Sequence, residues 1–264
     1  MSSRWPRLRL FEFNDLAGVH PAVRDTIVES LSRTLDWGRM LDGLVDPFAR
    51  FMEASGSTEL LDLGAGAGGP ARILAKALSR SGRTVPRFVL TDLHPRVEAW
   101  SAARDAHPEA IDFHATPVDA TNVPDDLAAG RARTIINVFH HFPPELATAV
   151  LRDAVRRAKG VFVAECFARD PLQFANFALA GLPALLANPL LSERDRFAKA
   201  VLTWLTPAAL GMAVWDGLVS TLRVYEEDEL RAMVAPFGQD FRWEYGTFRY
   251  LPFGTGTYFY GVPR

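Results

Sequence analysis

The sequence predicts an α/β fold: a mostly parallel sheet finished by an antiparallel hairpin. Three observations predict it. Short apolar runs alternate with amphipathic helical stretches from Glu59 to Cys166, the texture of repeated strand–helix–strand units. The first of these runs ends in a glycine loop, LLDLGAGAGG at 60–69. Near the end, FRWEYGTFRY and TGTYFYGVP follow one another with no helix between them. They are rich in aromatic and β-branched residues, so two strands must return side by side.

Residues 21–55 read as helix. PAVRDTIVESLSRTLDW opens on Pro21, a good first helical residue, and carries Val23, Ile27, Leu31 and Leu35 four apart. DPFARFMEASG then stops at Gly56. Residues 1–57 are therefore expected to form an N-terminal helical cap, and 58–264 the main domain. Within the main domain, ELLDL is the first strand and PARILAKALSRSG the first helix, closed by Gly82. PRFVLTDL, IDFHATPVDA, TIINVF and KGVFVAECF follow as strands two to five. PPELATAVLRDAVRRA is the helix between the last two.

Residues 171–222 interrupt the alternation as an insert after the fifth strand. PLQFANFALAGLPALLANPLL carries no charge, SERDRFAK breaks it, and AVLTWLTPAALGMAVW is uncharged again. The first stretch has the length of a membrane span, but Gly181, Pro183, Asn188 and Pro189 are expected to break it, and the second is too short. The expectation is a pair of apolar helices packed on the main domain. YEEDELRAMVAPFG returns to helix before the closing strands.

Composition excludes several partners. Of 264 residues, 48% are hydrophobic and 23% charged, with a formal net charge of -2, so no basic excess points to nucleic acid. One cysteine, Cys166, rules out an internal disulfide and reads as a small core residue. MSSRWPRLRLFEF lacks the continuous apolar run of a signal peptide, and a cytoplasmic location is expected.

The glycine loop carries the chemistry. Gly64, Gly66 and Gly68 let the backbone turn tightly and approach a ligand, and the helix beginning near Pro70 points amide groups at the same space. Gly64, Gly66 and Gly69 also satisfy the dinucleotide pattern G-x-G-x-x-G. Asp62, two residues before the first glycine, argues against a pyrophosphate and for a cationic ligand; the bland alternative is a turn aspartate. Asp92 ends the second strand, where a carboxylate accepts from ribose hydroxyls; a helix cap competes with that reading. Asp119 follows the third strand, within reach of an adenine amino group, with the Ala120 amide beside it; a local turn competes there too. Three acids at the carboxyl ends of three successive strands lie where open α/β sheets bind ligands.

With these residues placed, the chain resembles the class I S-adenosylmethionine-dependent methyltransferases, well over residues 58–168 and more loosely in the closing strands. LLDLGAGAGG is similar to their first motif, TDLHP to the second, VDATNVP to the adenine-contact motif and TIINVFHHFPPE to the fourth-strand motif. The resemblance implies a Rossmann-like seven-stranded mixed sheet with its last strand antiparallel. It implies S-adenosyl-L-methionine as cofactor, contacted by Asp62, Gly64, Ala65, Gly66 and Gly68. Asp92, Leu93, Asp119, Ala120 and Asn137 complete the implied set. NVFHHFPPE is also similar to the segment of plant-type small-molecule O-methyltransferases that carries a histidine base. His140 takes that position; His141 stands where that group has an acid. RLRLFEFND and WDGLVSTLR look like stretches of bacterial methyltransferases of undefined substrate.

His140 or His141 is thus the expected base for a hydroxyl acceptor, against the alternative that both shape the cofactor pocket. On an extended backbone the two adjacent side chains cannot both face the site, and no metal site is expected, because adjacent histidines lack the spacing of a chelating pair and no nearby Cys or Glu cluster completes one. Phe174, Phe177, Trp204, Met212 and Trp215 are expected to line an apolar acceptor pocket or to form the insert's own core. Asp216, Arg223 and Tyr225 orient an acceptor or pair among themselves. The leading expectation is O-methylation of a small apolar or aromatic acceptor. The alternatives are N- or C-methylation, a lipid-like substrate met at a membrane through 171–215, and a nicotinamide-dependent oxidoreductase. Arg194, Arg196 and Lys199 are largely cancelled by Glu193 and Asp195, which favours a lid over a membrane anchor.

Overall fold

A computed structural model describes residues 5–16, 18–251 and 253–264. Residues 1–4 of the N-terminal segment considered for a signal peptide lie outside the described residues. Seven strands form one sheet in the order β3-β2-β1-β4-β5-β7-β6. They are β1 (Glu59–Leu63), β2 (Arg87–Thr91), β3 (Ile111–Phe113), β4 (Ala132–Ile136), β5 (Val161–Glu165), β6 (Phe241–Tyr250) and β7 (Gly254–Pro263). Strands β1 to β5 pair in parallel, and β7 runs antiparallel to β5. The strand order reverses between β1 and β4, which sets the switch point at their carboxyl ends. The third strand is shorter than its sequence suggests. Only Ile111–Phe113 pairs with β2, and the chain beyond it leaves the sheet toward Asp119.

The helices are α1 (Pro21–Trp37), α2 (Val45–Ser55), α3 (Gly69–Arg80), α4 (Val97–Ala106), α5 (Asp125–Ala128) and α6 (Pro144–Arg157). They continue with α7 (Pro171–Leu191), α8 (Arg196–Ala200), α9 (Ala208–Arg223) and α10 (Glu227–Val234). The chain falls into two compact units. One comprises Met1–Met40, Phe167–Val224 and Arg249–Thr255; the other Leu41–Cys166, Tyr225–Phe248 and Gly256–Arg264.

The second unit holds the sheet, and α2 belongs to it. This departs from a cap running to residue 57. The reason is aromatic: Phe48 packs on Phe88 of β2 and Phe162 of β5, and Phe51 on Phe162 and Tyr260. All five rings are almost fully buried, and each aromatic side chain removed from water contributes a few kcal/mol. On a second apolar cluster, Leu61, Leu63, Ile135, Val163 and Phe259 of the strands meet Val150, Leu151 and Ala154 of α6.

The first unit is helical. Helix α7 runs for 21 residues through Gly181, Pro183 and Pro189 without a break, contrary to the interruption read from the sequence. Each proline removes one donor from the ladder at a cost of up to about 3 kcal/mol. Burial of Phe174, Phe177, Ala184 and Leu185 on one side of α7 and packing against α1 and α9 offset that loss. After α8 the chain makes a π-helical turn, Val201–Leu205, and then α9.

Candidate active site at the strand ends

Asp62 lies on β1 in the middle of the sheet and is 2% exposed. One oxygen accepts a hydrogen bond from Thr134 Oγ1 on β4 at 2.7 Å. Burial raises its carboxyl to about 7; the Thr134 bond opposes the shift and the nearby charge of Asp92 adds to it. A buried carboxylate with one hydrogen bond is costly to ionise, and a cationic group is the partner that would relieve it.

The loop after β1 turns through left-handed backbone at Gly64, Gly66 and Gly68, with φ of 68°, 55° and 78°. At Gly66 a side chain would point into open space, so the glycine is required by the conformation and leaves the loop's surface bare. The Gly66 peptide is held on both sides. Its N–H donates to Asp92 Oδ2 at 2.9 Å, and its carbonyl accepts from Trp100 Nε1 at 2.8 Å. The Ala65 N–H donates to the Thr91 carbonyl. Helix α3 begins directly after the loop, with Pro70 in its first turn.

Asp92 therefore spans two roles. Besides Gly66 it accepts from the His94 N–H at 2.9 Å. It does not cap α4, which starts at Val97; its local bond is to the turn instead. Leu93 beside it is 55% exposed. Asp119 Oδ1 accepts from both the N–H and the hydroxyl of Thr121, at 2.8 and 2.7 Å, which is the local turn weighed as the alternative. Its side chain is exposed, and Ala120 is half-buried.

At the end of β4, Asn137 adopts φ of 59°, an uncommon conformation that asparagine tolerates better than most residues. Its Oδ1 accepts from the Cys166 N–H at 2.7 Å. Its buried Nδ2 finds no partner among the described residues. A buried donor without a partner is uncommon in a folded protein and calls for a water or a ligand to satisfy it.

His140 is buried in the short turn Phe139–His141. Its ring Nδ1 lies 2.8 Å from Glu165 Oε2, and its backbone N–H donates to Glu165 Oε1 at 2.9 Å. Glu165 closes β5 and is 4% exposed. The His140 and His141 rings sit 4.2 Å apart, centroid to centroid. The expectation that adjacent histidines diverge fails here because the backbone is a tight 3-10 turn. The spacing argument against a metal falls with it. Cys166 is buried, and its thiol is pushed up to about 12 by burial, opposed by Asn137. It behaves as a core residue.

The sequence reading did not single out Glu165, Thr134 or Trp100. An acid inside the apolar run VFVAECF was the available signal, since such residues are almost never buried without a partner.

The residues expected to meet an acceptor lie in the helical unit, where the structure does not gather them on one wall. Phe174 and Phe177 are buried in an aromatic cluster with Phe167 and Tyr250. Trp215 packs at a tilt against the Phe11 ring and donates to the Phe11 carbonyl at 3.0 Å. Arg223 is buried between Glu12 and Asp15, at 2.9 and 3.0 Å. Asp216 accepts from the N–H groups of Phe13 and Asn14. These three residues fasten residues 10–15 to α9. Trp204 is half-exposed in the π turn, its indole donating to the Leu186 carbonyl. Tyr225 belongs to the sheet unit, where its hydroxyl donates to the Phe142 carbonyl at 2.8 Å.

No protein-family model matches the chain, and no curated protein matches it in sequence. Solved structures do match. The plantazolicin methyltransferase BpumL, solved in complex with SAH, is 13% identical with a TM-score of 0.57, over 92% of this chain and 91% of that one. The trans-methyltransferase CalH, also solved with SAH, is 17% identical with a TM-score of 0.51, over 89% of this chain and 59% of CalH. The strand order, the antiparallel β7 and these likenesses together establish that the chain has the fold of the class I methyltransferases.

Proposed function

We propose that this chain is an S-adenosylmethionine-dependent methyltransferase acting on a small, apolar acceptor, with transfer to oxygen. The observation that carries the reading is the buried, singly bonded Asp62 two residues before a bare glycine loop. That arrangement suits a ligand with cationic groups and is adverse to a pyrophosphate. The orphaned Asn137 Nδ2 and the fixed Gly66 peptide fit the same ligand. Asp62, Asn137 and the loop 64–68, including Ala65, would hold its amino-acid end. Asp92 with Leu93 would take the ribose, and Asp119 with Ala120 the adenine. When bound, S-adenosylmethionine supplies an electrophilic methyl group.

The chain's own contribution is positioning and proton removal. Glu165 holds the Nδ1 side of His140, which leaves Nε2 as the basic nitrogen and counters the charge His140 acquires when it takes a proton. The apolar composition of the helical unit supports an apolar acceptor. A second reading is favoured by one further observation. Leu172, Leu179, Leu186 and Leu190 of α7 lie on its outward side, 46–70% exposed, and Phe197 and Leu205 are exposed at 84% and 77%. Helix α7 is long and apolar enough to cross a membrane by length and composition, and only a third of its most apolar window is buried. In that reading the insert rests on a bilayer and the acceptor is lipid-like.

Three outcomes follow. Asp62, raised from 3.8 to about 7, carries a proton below that pH in the ligand-free protein. Binding of a cationic ligand must expel it. Affinity for S-adenosylhomocysteine by calorimetry should therefore rise about tenfold per pH unit up to 7 and level off above. Asp62→Asn should flatten the profile. With no ligand, Asp62 contributes stability that is lost as pH rises from 4 through 7. A pH-independent affinity in the unaltered protein would remove Asp62 from the ligand site.

His140→Ala should lower turnover by about 10²–10⁴ with cofactor binding retained. Glu165→Gln should give a smaller loss in turnover, again without weakening cofactor binding. Full turnover in His140→Ala would leave His140 as a wall residue.

Flotation with liposomes separates the two acceptor readings. Docking through the insert predicts that the intact protein floats and that Leu179→Ser with Leu186→Ser and Phe197→Ser does not. A protein that stays at the bottom of the gradient supports the small-molecule reading.

A further inference from the structure

Helix α6 carries a charged group that the mechanism above does not use. Arg133 on β4 is 1% exposed and donates to Asp153 Oδ2 at 2.6 Å. Its Nε and second terminal nitrogen find no partner among the described residues. Asp153 Oδ2 also accepts from the Val123 N–H at 3.4 Å. One turn later on α6, Arg157 donates to the Val123 carbonyl at 2.7 Å and meets Asp153 and Asp125 at 3.4 and 3.1 Å. Both polar groups of the Val123 backbone are thus gripped from a single turn of α6.

Val123 lies four residues past Asp119. The near end of the same loop is fixed by the Val118 N–H on the Asp92 carbonyl at 2.9 Å, and the middle by the Asp119–Thr121 turn. The loop is thus pinned at both ends, with its crest held only by its own local turn. A buried, incompletely satisfied ion pair is a poor source of stability, and an apolar pair of the same volume would often serve as well. What it supplies is direction: charge-assisted bonds fix the height and tilt of one peptide.

We infer that Asp153 and Arg157 form a clamp that sets the position of the Asp119 loop, and through it the recognition of an adenine amino group. They are positioning residues. The inference rests on the S-adenosylmethionine reading.

The test uses the full chain and two probes, S-adenosylhomocysteine and its inosine analogue, which lacks the amino group. Arg157 is 29% exposed, so Arg157→Ala is the primary variant, with Arg157→Gln should it fail to fold. The unaltered protein should prefer the adenosyl probe. Arg157→Ala should lose about tenfold in affinity for that probe and change little for the inosine analogue, so the preference collapses. Arg157→Lys, which restores a donor to Val123, should recover part of it. Equal losses for both probes, or an undiminished preference, would overturn the clamp. Failure of the unaltered protein to bind either probe would instead defeat the cofactor reading on which it rests.

Discussion

A carboxylate in the middle of an apolar sheet is the constraint on which the rest of this structure depends. Asp62 lies between strands whose buried residues are mostly apolar, with Thr91, Arg133 and Thr134 the polar exceptions, and it has Thr134 as its hydrogen-bond donor. Removing a charge from water costs several kcal/mol unless something answers it. The fold answers only partly, by leaving the carboxyl raised to about 7. Everything placed around the switch point is consistent with a partner arriving from outside: a loop of glycines and alanines, an amide donor at Asn137 with no partner among the described residues, and a second carboxylate at Asp92 locked in orientation by the Gly66 and His94 amides.

The same logic recurs at the neighbouring strands. Glu165 on β5 and Arg133 on β4 are charged residues buried within the sheet. Each has a specific partner, His140 for one and Asp153 for the other. Well-packed apolar pairs of similar volume often leave a core no less stable than such buried ion pairs. In both cases the bond orients a segment at the carboxyl end of the sheet, the His140 turn or the Asp119 loop. The sheet unit therefore spends its buried charges on orientation, while stability rests with rings such as Phe48, Phe88 and Phe162.

Periodicity and turn chemistry made the sheet legible. The strands within ELLDL, PRFVLTDL and KGVFVAECF, the glycine loop and the paired closing strands are local patterns that lie where they were read, whereas the fourth strand, read as 134–139, runs from Ala132 to Ile136 and leaves 137–139 to the turn that follows. Local patterns failed where tertiary contacts decide. The prolines of α7 read as breaks, yet the buried Phe174, Phe177, Ala184 and Leu185 carry the helix through them. Residues 45–55 read as part of a cap, yet Phe48 and Phe51 bind them to the sheet. The acids at 62, 92 and 119 were legible because they end strands. The long-range partnerships were not, because Thr134 lies 72 residues from Asp62, Glu165 25 from His140 and Arg157 34 from Val123. No spacing rule links such pairs. Divergence of His140 and His141 was argued from an extended backbone, and the 3-10 turn brought the rings together instead.

The central claim is that the glycine loop of this α/β sheet is built for a nucleoside that carries an amino-acid ammonium rather than for a dinucleotide. Calorimetric titration of the intact chain with S-adenosylhomocysteine and, separately, with NAD tests it most directly. The account predicts saturable one-to-one binding of S-adenosylhomocysteine and no measurable heat with NAD. Saturable binding of NAD, with none of S-adenosylhomocysteine, would contradict it.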